Sequence, residues 1–292
     1  MALAAAPEFL IFGKSGQLAR SLAAQARCED VSLLCAGRDI ADLTIPGHAR
    51  ALIERLQPRF VINAAAYTAV DRAEDETLLC NAINADAPGE MAKACASQGS
   101  RFIHVSTDYV FNGESDTPYT EDSEPDPINF YGQSKLEGEL KALNSYDQTT
   151  IVRTSAVFSG LGDDFPCKIL NLAASRETLR IVDDQITGPT PAAELARRLF
   201  ALARSPSAYG VFHCAGQPFV SWAGFAAAFL EQEGSAIGTR VIPVSSEEYP
   251  TRARRPKRSR LGGDRLKEAT GLHSPQWQQS LGLMLDAWRA SR

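Results

Sequence analysis

The stretch Phe9-Leu10-Ile11-Phe12-Gly13-Lys14-Ser15-Gly16-Gln17-Leu18-Ala19 decides the fold. A short apolar run that stops at a glycine predicts a buried strand over 9–12. The turn Gly13-x-x-Gly16 comes next, and Gln17 to Ala26 carries Leu18 and Leu22 one helical turn apart, which predicts a helix. Glycine at 13 permits a tight turn, and glycine at 16 lets backbone approach a pyrophosphate. Ala19 takes the third place of the pattern, where a methyl group still allows close helix–strand packing. The unpaired N–H groups of the helix start suit an anion. This reading assigns Gly13, Ser15, Gly16, Gln17 and Leu18 to a dinucleotide. An ordinary βα turn can show the same two glycines, so the weight rests on the strands and side chains further along the chain.

Working outward, apolar runs predict further strands over 31–35, 60–63, 101–105 and 150–152. Helical patterns fall between them, over 49–56, 81–97 and 131–143. Near-continuous apolar strands separated by helices predict an α/β fold, a Rossmann-like doubly wound parallel sheet covered on both faces. Residues 1–160 then form the NAD(P)-binding domain. After about residue 155 the rhythm changes. Helices are expected over 165–174, 192–203, 222–232 and 275–289, an extended segment over 179–182 and a strand over 210–214. Residues 161–292 are expected to be mainly a smaller C-terminal substrate-binding lobe, with 192–215 returning to the first sheet. A polar, basic stretch before residue 275 reads as loop.

Composition narrows the classes of function. The chain has 292 residues, 44% hydrophobic and 22% charged, with a net charge of −5. That is an ordinary globular balance, with nothing to attract nucleic acid. Arg252 to Arg260 holds six Arg or Lys residues, but it is short, and Pro250 and Pro256 make it read as a loop. Its use is an anionic small molecule, or plain solvation. The six cysteines show no C-x-x-C spacing and read as free thiols of a reducing compartment. Met1 to Pro7 has no charged start followed by a long apolar stretch, and no segment is long and apolar enough for a bilayer. A cytoplasmic protein is expected.

The chemistry concentrates at Ser106-Thr107-Asp108, at the end of the fourth strand, and at Tyr131-Gly132-Gln133-Ser134-Lys135. Tyr131 and Lys135 share one helical face. A nearby ammonium favours the phenolate and lowers the tyrosine pKa, so that Tyr131 can pass a proton to an alkoxide as hydride arrives. Lys135 can also hold ribose hydroxyls. The Thr107 hydroxyl sits where open sheets bind ligands and can align a carbonyl. At the end of the second strand Arg38 stands where an acid would grip the ribose of NAD, and it can meet a 2′-phosphate instead. NADPH is therefore favoured, with Asp39 beside Arg38 leaving NADH open. Asp42 and Leu43 can line an adenine pocket, and Ala64, Ala65 and Ala66 let a cofactor lie flat. Other chemistries fit less well. His48, His104, His213 and His273 are scattered with no zinc-binding pattern, and His104, inside a strand, reads as a packed core histidine. Ser106 lacks a hydrolase elbow, and no phosphoryl-transfer loop is present.

On these residues the chain resembles the extended short-chain dehydrogenase/reductases, and within them the dTDP-4-dehydrorhamnose reductase family. The matching stretches are FGKSGQLA at 12–19, VINAAAYTAVDRAE at 61–74, VSTDYVFNG at 105–113 and YGQSKLEGE at 131–139. RTS at 153–155, DDQITGPT at 183–190 and YPTRARRPKRSRL at 249–261 come after them in order. The resemblance implies NAD(P)H-dependent reduction of the C4 keto group of a nucleotide-linked 4-keto-6-deoxy sugar, most simply dTDP-4-dehydrorhamnose to dTDP-L-rhamnose. It gives Thr107, Tyr131 and Lys135 the roles at carbonyl and cofactor. Asp108, Val110 and Phe111 are implied to shape the reaction pocket, and Gln185 to Thr190 and the loop up to Arg255 to face the nucleotide sugar. Two departures stand out: Ala156 occupies the place of the family's usual tryptophan after R-T-S, which opens the way to a different sugar. Ser21 replaces a glutamate tied in some members to magnesium-linked dimerisation, so neither Mg²⁺ nor that dimer is implied, and the chain is a monomer or a homodimer. The same family contains non-catalytic partners of methionine adenosyltransferase, and the superfamily contains reductases and epimerases for other sugars. These are the rival readings.

Overall fold

The computed structural model describes residues 6–234 and 238–292; residues 1–5 of the alanine-rich start, on which the leader expectation rests, lie outside the described residues. β1 (Phe9–Phe12) is buried at all four positions, as an apolar run without alternation requires. α1 (Gln17–Cys28) turns Leu18, Ala19, Leu22 and Ala26 inward. β2 (Leu33–Ala36) starts later than the apolar run from Val31, whose N–H closes the exit from α1 on the Ala26 carbonyl at 3.0 Å. α2 (His48–Leu56) stops where Gln57 takes a left-handed φ of 47°. β3 (Phe60–Asn63) is again buried throughout.

Two short helices, α3 (Val70–Ala73) and α4 (Thr77–Asn81), precede the long helix expected from Asn81. A π-helical turn at Ala82–Asp86 joins α4 to α5 (Ala87–Gln98). Pro88 has no N–H to offer the Asn84 carbonyl. That oxygen rests instead against Gly138, where an added Cβ would lie only 2.0 Å from it. β4 (Arg101–Thr107) runs two residues further than expected. α6 (Phe130–Ser145) starts where Asn129 Oδ1 accepts the Gly132 N–H at 2.8 Å, a side-chain N-cap. β5 (Thr149–Thr154) comes next.

The remainder comprises β6 (Val157–Phe158), α7 (Phe165–Ala173), β7 (Thr178–Val182), β8 (Ile186–Thr187) and β9 (Thr190–Pro191). α8 (Ala192–Arg204), β10 (Gly210–Cys214), β11 (Val220–Ser221) and α9 (Trp222–Glu233) come after these. β12 (Arg240–Val244) and α10 (Asp264–Thr270) occupy the stretch expected to be loop. The single helix expected over 275–289 divides into a 3₁₀ turn at Trp277–Ser280 and α11 (Leu281–Ala290).

The main sheet has six strands in the order β10-β5-β4-β3-β1-β2, and every pairing is parallel. Strand order reverses between β1 and β3, which opens a crevice at their carboxyl ends. One face of the sheet is packed by Leu22, Leu195, Leu199, Phe200 and Leu266. The other is packed by Leu52, Ile53, Met91 and Ala142. A smaller C-terminal lobe has its own core, centred on Leu170, Phe225, Phe229, Trp277 and Trp288. Among the described residues no helix is long and apolar enough to cross a membrane.

Candidate active site

The carboxyl ends of β1, β3 and β4 open into a cleft of about 570 Å³. Gly13 crosses its floor with φ of 116°, and a Cβ there would press on the Ala64 and Ala65 backbone at 3.4 Å. Gly16 starts α1 without a side-chain cap, so the first N–H groups of the helix are available to an anion. Ser15, Gln17 and Leu18 line the same wall. Gln17 Nε2 donates to the Val157 carbonyl at 2.8 Å, while its buried Oε1 has no partner. Across the cleft lie Ala64, Ala65 and Ala66, with Arg38, Asp42 and Leu43 at the far end.

Arg38 and Asp39, at the end of β2, differ in their contacts. Asp39 is paired with Lys14 at 2.7 Å. Arg38 is exposed and makes no hydrogen bond or ion pair among the described residues. Asp42 accepts from the Thr44 N–H at 2.9 Å and hydroxyl at 2.8 Å, which holds its carboxyl below the usual range. An uncapped helix start, a glycine floor, an unpaired arginine and an orphaned amide oxygen together fit a dinucleotide with a phosphate near Arg38.

Tyr131 and Lys135 line this same cleft. Thr107 ends β4 just behind them, accepting from the Tyr109 N–H at 3.2 Å and donating to Asp108 Oδ1 at 3.1 Å. Asp108 also collects the hydroxyls of Ser155, at 2.7 Å, and Ser259, at 2.5 Å. Burial pushes its carboxyl up to about 6 in spite of these donors. Lys135 Nζ donates to the Val105 carbonyl at 2.7 Å and lies 3.2 Å from His104 Nε2. Burial raises the Tyr131 phenol above its ordinary value and the Thr107 hydroxyl draws it partly back, so the tyrosine is held protonated rather than moved towards phenolate. Burial lowers Lys135 to about 8.

Several groups here have surroundings that the sequence did not reveal. Ser106 Oγ and Thr154 Oγ1 are buried without partners, in residues that line the cleft. Glu139, one helical turn beyond Lys135, closes on Arg153 in a fully buried pair, with Nε–Oε1 at 3.0 Å and a terminal nitrogen at 2.7 Å from Oε2. The Y-x-x-x-K spacing extended by four residues reaches Glu139, and this is the one signal that could have found it.

The residues assigned to the sugar side separate. Gln185 and Arg255 line a second cavity of about 490 Å³, beside the basic loop. Gln185 donates to Ser246 Oγ at 2.9 Å. Arg255 forks onto Asp71 at 2.9 and 2.7 Å. Arg252 pairs with Asp75 at 2.8 Å, and Arg258 pairs with Asp116. Arg254 lines the cavity, and its side chain makes no hydrogen bond or ion pair among the described residues. Val110 and Phe111 are wholly buried in a small core with Tyr119, Ala215 and Leu261. Thr190 is also wholly buried, its hydroxyl donating to the Gly188 carbonyl at 2.9 Å. Ala156 has a left-handed φ of 42° and its carbonyl accepts the Thr190 N–H at 3.2 Å. Among the described residues no group of three or more His, Cys, Asp or Glu side chains could hold a metal ion, and all six cysteines are free.

A parallel sheet with a glycine-floored crevice and a tyrosine–lysine pair beside it defines an extended short-chain dehydrogenase/reductase. The family model described as RmlD substrate binding domain matches residues 8–290. The dTDP-4-dehydrorhamnose reductase of Sinorhizobium fredii is 40% identical over 280 residues, covering 92% of this chain and 94% of that protein. Among solved structures, a dTDP-4-dehydrorhamnose reductase from Clostridium acetobutylicum superposes with a TM-score of 0.91 at 34% identity, over 96% of this chain and 99% of that one. The enzyme of the same description from Bacillus anthracis, solved with NADP, has a TM-score of 0.90 at 32% identity, with the same coverage. The chain belongs to the dTDP-4-dehydrorhamnose reductase family.

Proposed function

We propose that the chain reduces the C4 keto group of dTDP-4-dehydrorhamnose to give dTDP-L-rhamnose in the cytoplasm, with NADPH as reductant. The observation that carries the reading is that Tyr131 and Lys135 line the cleft floored by Gly13, with Thr107 at the adjoining strand end. Bound along Gly13, Gly16 and Ala64 to Ala66, a reduced nicotinamide dinucleotide supplies the hydride. Arg38, left unpaired at the adenosine end, favours the 2′-phosphorylated form, and the Bacillus anthracis relative was solved with NADP.

Tyr131 delivers the proton. Its phenol, kept neutral by burial, transfers its hydrogen to the C4 oxygen as that atom gains negative charge, so the ketone takes one hydride at carbon and one proton at oxygen. Thr107 orients the carbonyl; its hydroxyl is itself oriented by Asp108. Alanine at 156, in the place of the family's usual tryptophan, removes one large ring, which favours tolerance of neighbouring 4-keto-6-deoxy sugars as a second reading. The test is to incubate the purified protein with NADPH and dTDP-4-dehydrorhamnose and monitor dinucleotide oxidation, with the sugar product identified by NMR. Formation of dTDP-L-rhamnose is expected. No oxidation with this sugar or with a panel of related dTDP-4-keto sugars would remove the reductase reading in favour of a non-catalytic partner.

A further inference from the structure

Asp108 is buried just beyond β4, and the hydroxyls that reach its carboxylate come from three parts of the chain. Thr107 Oγ1 donates to Oδ1 at 3.1 Å from the strand end itself. Ser155 Oγ donates to Oδ2 at 2.7 Å from the residue after β5. Ser259 Oγ donates to the same oxygen at 2.5 Å from the basic loop, 151 positions along the chain. All four side chains are buried, so the carboxylate depends on these donors. The segment that carries Ser259 is pinned by its backbone. The Ile186 N–H donates to the Lys257 carbonyl at 2.7 Å, the Arg258 N–H to the Gly113 carbonyl at 3.1 Å and the Ser259 N–H to the Ile186 carbonyl at 3.0 Å. Arg254, Arg255, Lys257 and Arg258 of the same segment line the second cavity. One carboxylate therefore joins the wall of that cavity to the Thr107 hydroxyl.

We propose that Ser259 is a positioning residue for the reduction: held by the basic loop, it keeps the Asp108 carboxylate an acceptor and so fixes the direction of the Thr107 hydroxyl at the carbonyl site. The role in reduction rests on the reductase reading. A hydroxyl has one hydrogen to give and two lone pairs. One lone pair of Thr107 Oγ1 takes the Tyr109 N–H at 3.2 Å. The hydrogen goes to Asp108 only while that group is ionised, because a protonated carboxyl can offer its own hydrogen to Thr107 and turn the hydroxyl round. Burial penalises the ionised form, and the hydroxyls of Ser259, Ser155 and Thr107 favour it. The other titratable groups around the carboxylate are Tyr109 beside it, Tyr131 on α6, Arg255 of the basic loop and Asp71 of α3. Arg255 and Asp71 are closed on each other.

Ser259→Ala removes one oxygen and leaves the backbone bonds of the segment in place. In the full-length protein labelled with ¹³C-aspartate, the Asp108 carboxyl resonance is assigned by its loss in Asp108→Asn and followed against pH. It should titrate about one unit higher in Ser259→Ala than in wild type. With NADPH and dTDP-4-dehydrorhamnose, kcat should fall about tenfold, the scale of a lost hydrogen bond to a charged group, while KM stays within about twofold. The acidic limb of the kcat profile should move up by the same one unit or so. An unmoved Asp108 titration overturns the proposal, as does an unchanged kcat or a loss that falls wholly on KM. A variant that only melts earlier, with titration and kcat as in wild type, marks Ser259 as structural and overturns it too. Wild type without turnover would remove the reductase reading; the carboxyl titration needs no substrate and decides separately whether Ser259 holds Asp108.

Discussion

Arg255 grips both carboxylate oxygens of Asp71, a residue 184 positions earlier, at 2.9 and 2.7 Å. The basic loop is thereby fastened to the segment after β3, whereas Arg254, at the second cavity, has no side-chain partner among the described residues. The adjacent arginines therefore divide the work. Arg254→Ala should raise KM for the nucleotide sugar about tenfold or more, as loss of a charge-assisted contact to a diphosphate does, and leave folding stability nearly unchanged. Arg255→Ala should instead lower stability by about 1 kcal/mol, since its pair is only partly buried. Steady-state kinetics and denaturant melts on the two variants check the division. Equal KM effects with no loss of stability would refute it.

Tyr131→Phe should retain dinucleotide affinity and lower turnover by about two orders of magnitude or more, the scale of a lost general acid. Binding is read by fluorescence titration and turnover by dinucleotide oxidation. Undiminished turnover would take the proton donor away from this residue.

Arg38→Ala should reduce the preference for NADPH over NADH. Among the described residues the arginine makes no ion pair, so the change should fall mainly on NADPH affinity. The ratio of kcat/KM for the two dinucleotides reports it, and an unchanged ratio would exclude Arg38 from phosphate recognition.

Asp108 makes a prediction about pH. Its carboxyl titrates at about 6 when folded, against roughly 3.9 when unfolded. Between these values the folded protein holds a proton that the unfolded chain has released, so stability contributed here falls as pH rises through the window and is flat above it. The loss amounts to about 3 kcal/mol. Wild type should therefore lose ground to Asp108→Asn by roughly that amount between about pH 4 and pH 7 in paired urea titrations. A gap independent of pH would contradict the burial-driven shift.

Gly138→Ala places a methyl carbon 2.0 Å from the Asn84 oxygen, a backbone atom that cannot swing aside. Loss of several kcal/mol or failure to fold is expected, of the order of strong overpacking. Thermal melts of the variant settle it, and a Tm equal to wild type would mean that α6 and the π turn separate freely.

What the sequence revealed came from periodicity and local chemistry. Phe9-Leu10-Ile11-Phe12 and Phe60-Val61-Ile62-Asn63 fall at their expected positions because apolar runs bounded by turn residues have few alternatives. β12 was hidden because Pro243 and two adjacent charged stretches argue against a strand, yet it pairs with β7 at the edge of the small lobe, where proline is tolerated. α10 was hidden within a run of charge. The glycine turn and the Tyr131–Lys135 pair were legible, since spacing along one helix fixes them. The direction taken by the Lys135 amine was not, because it depends on His104 and Val105 of β4, far from the helix in sequence. Nor could spacing separate Arg254 from Arg255, whose difference lies in a carboxylate far away in the chain.

The late placement of β10 bears on how the protein is made. β5 leaves the ribosome well before Gly210–Cys214 does, and until that strand arrives its outer backbone groups are unpaired. A nascent or truncated chain ending upstream of Gly210 would therefore carry an open template for other extended chains rather than a smaller, self-sufficient nucleotide-binding unit.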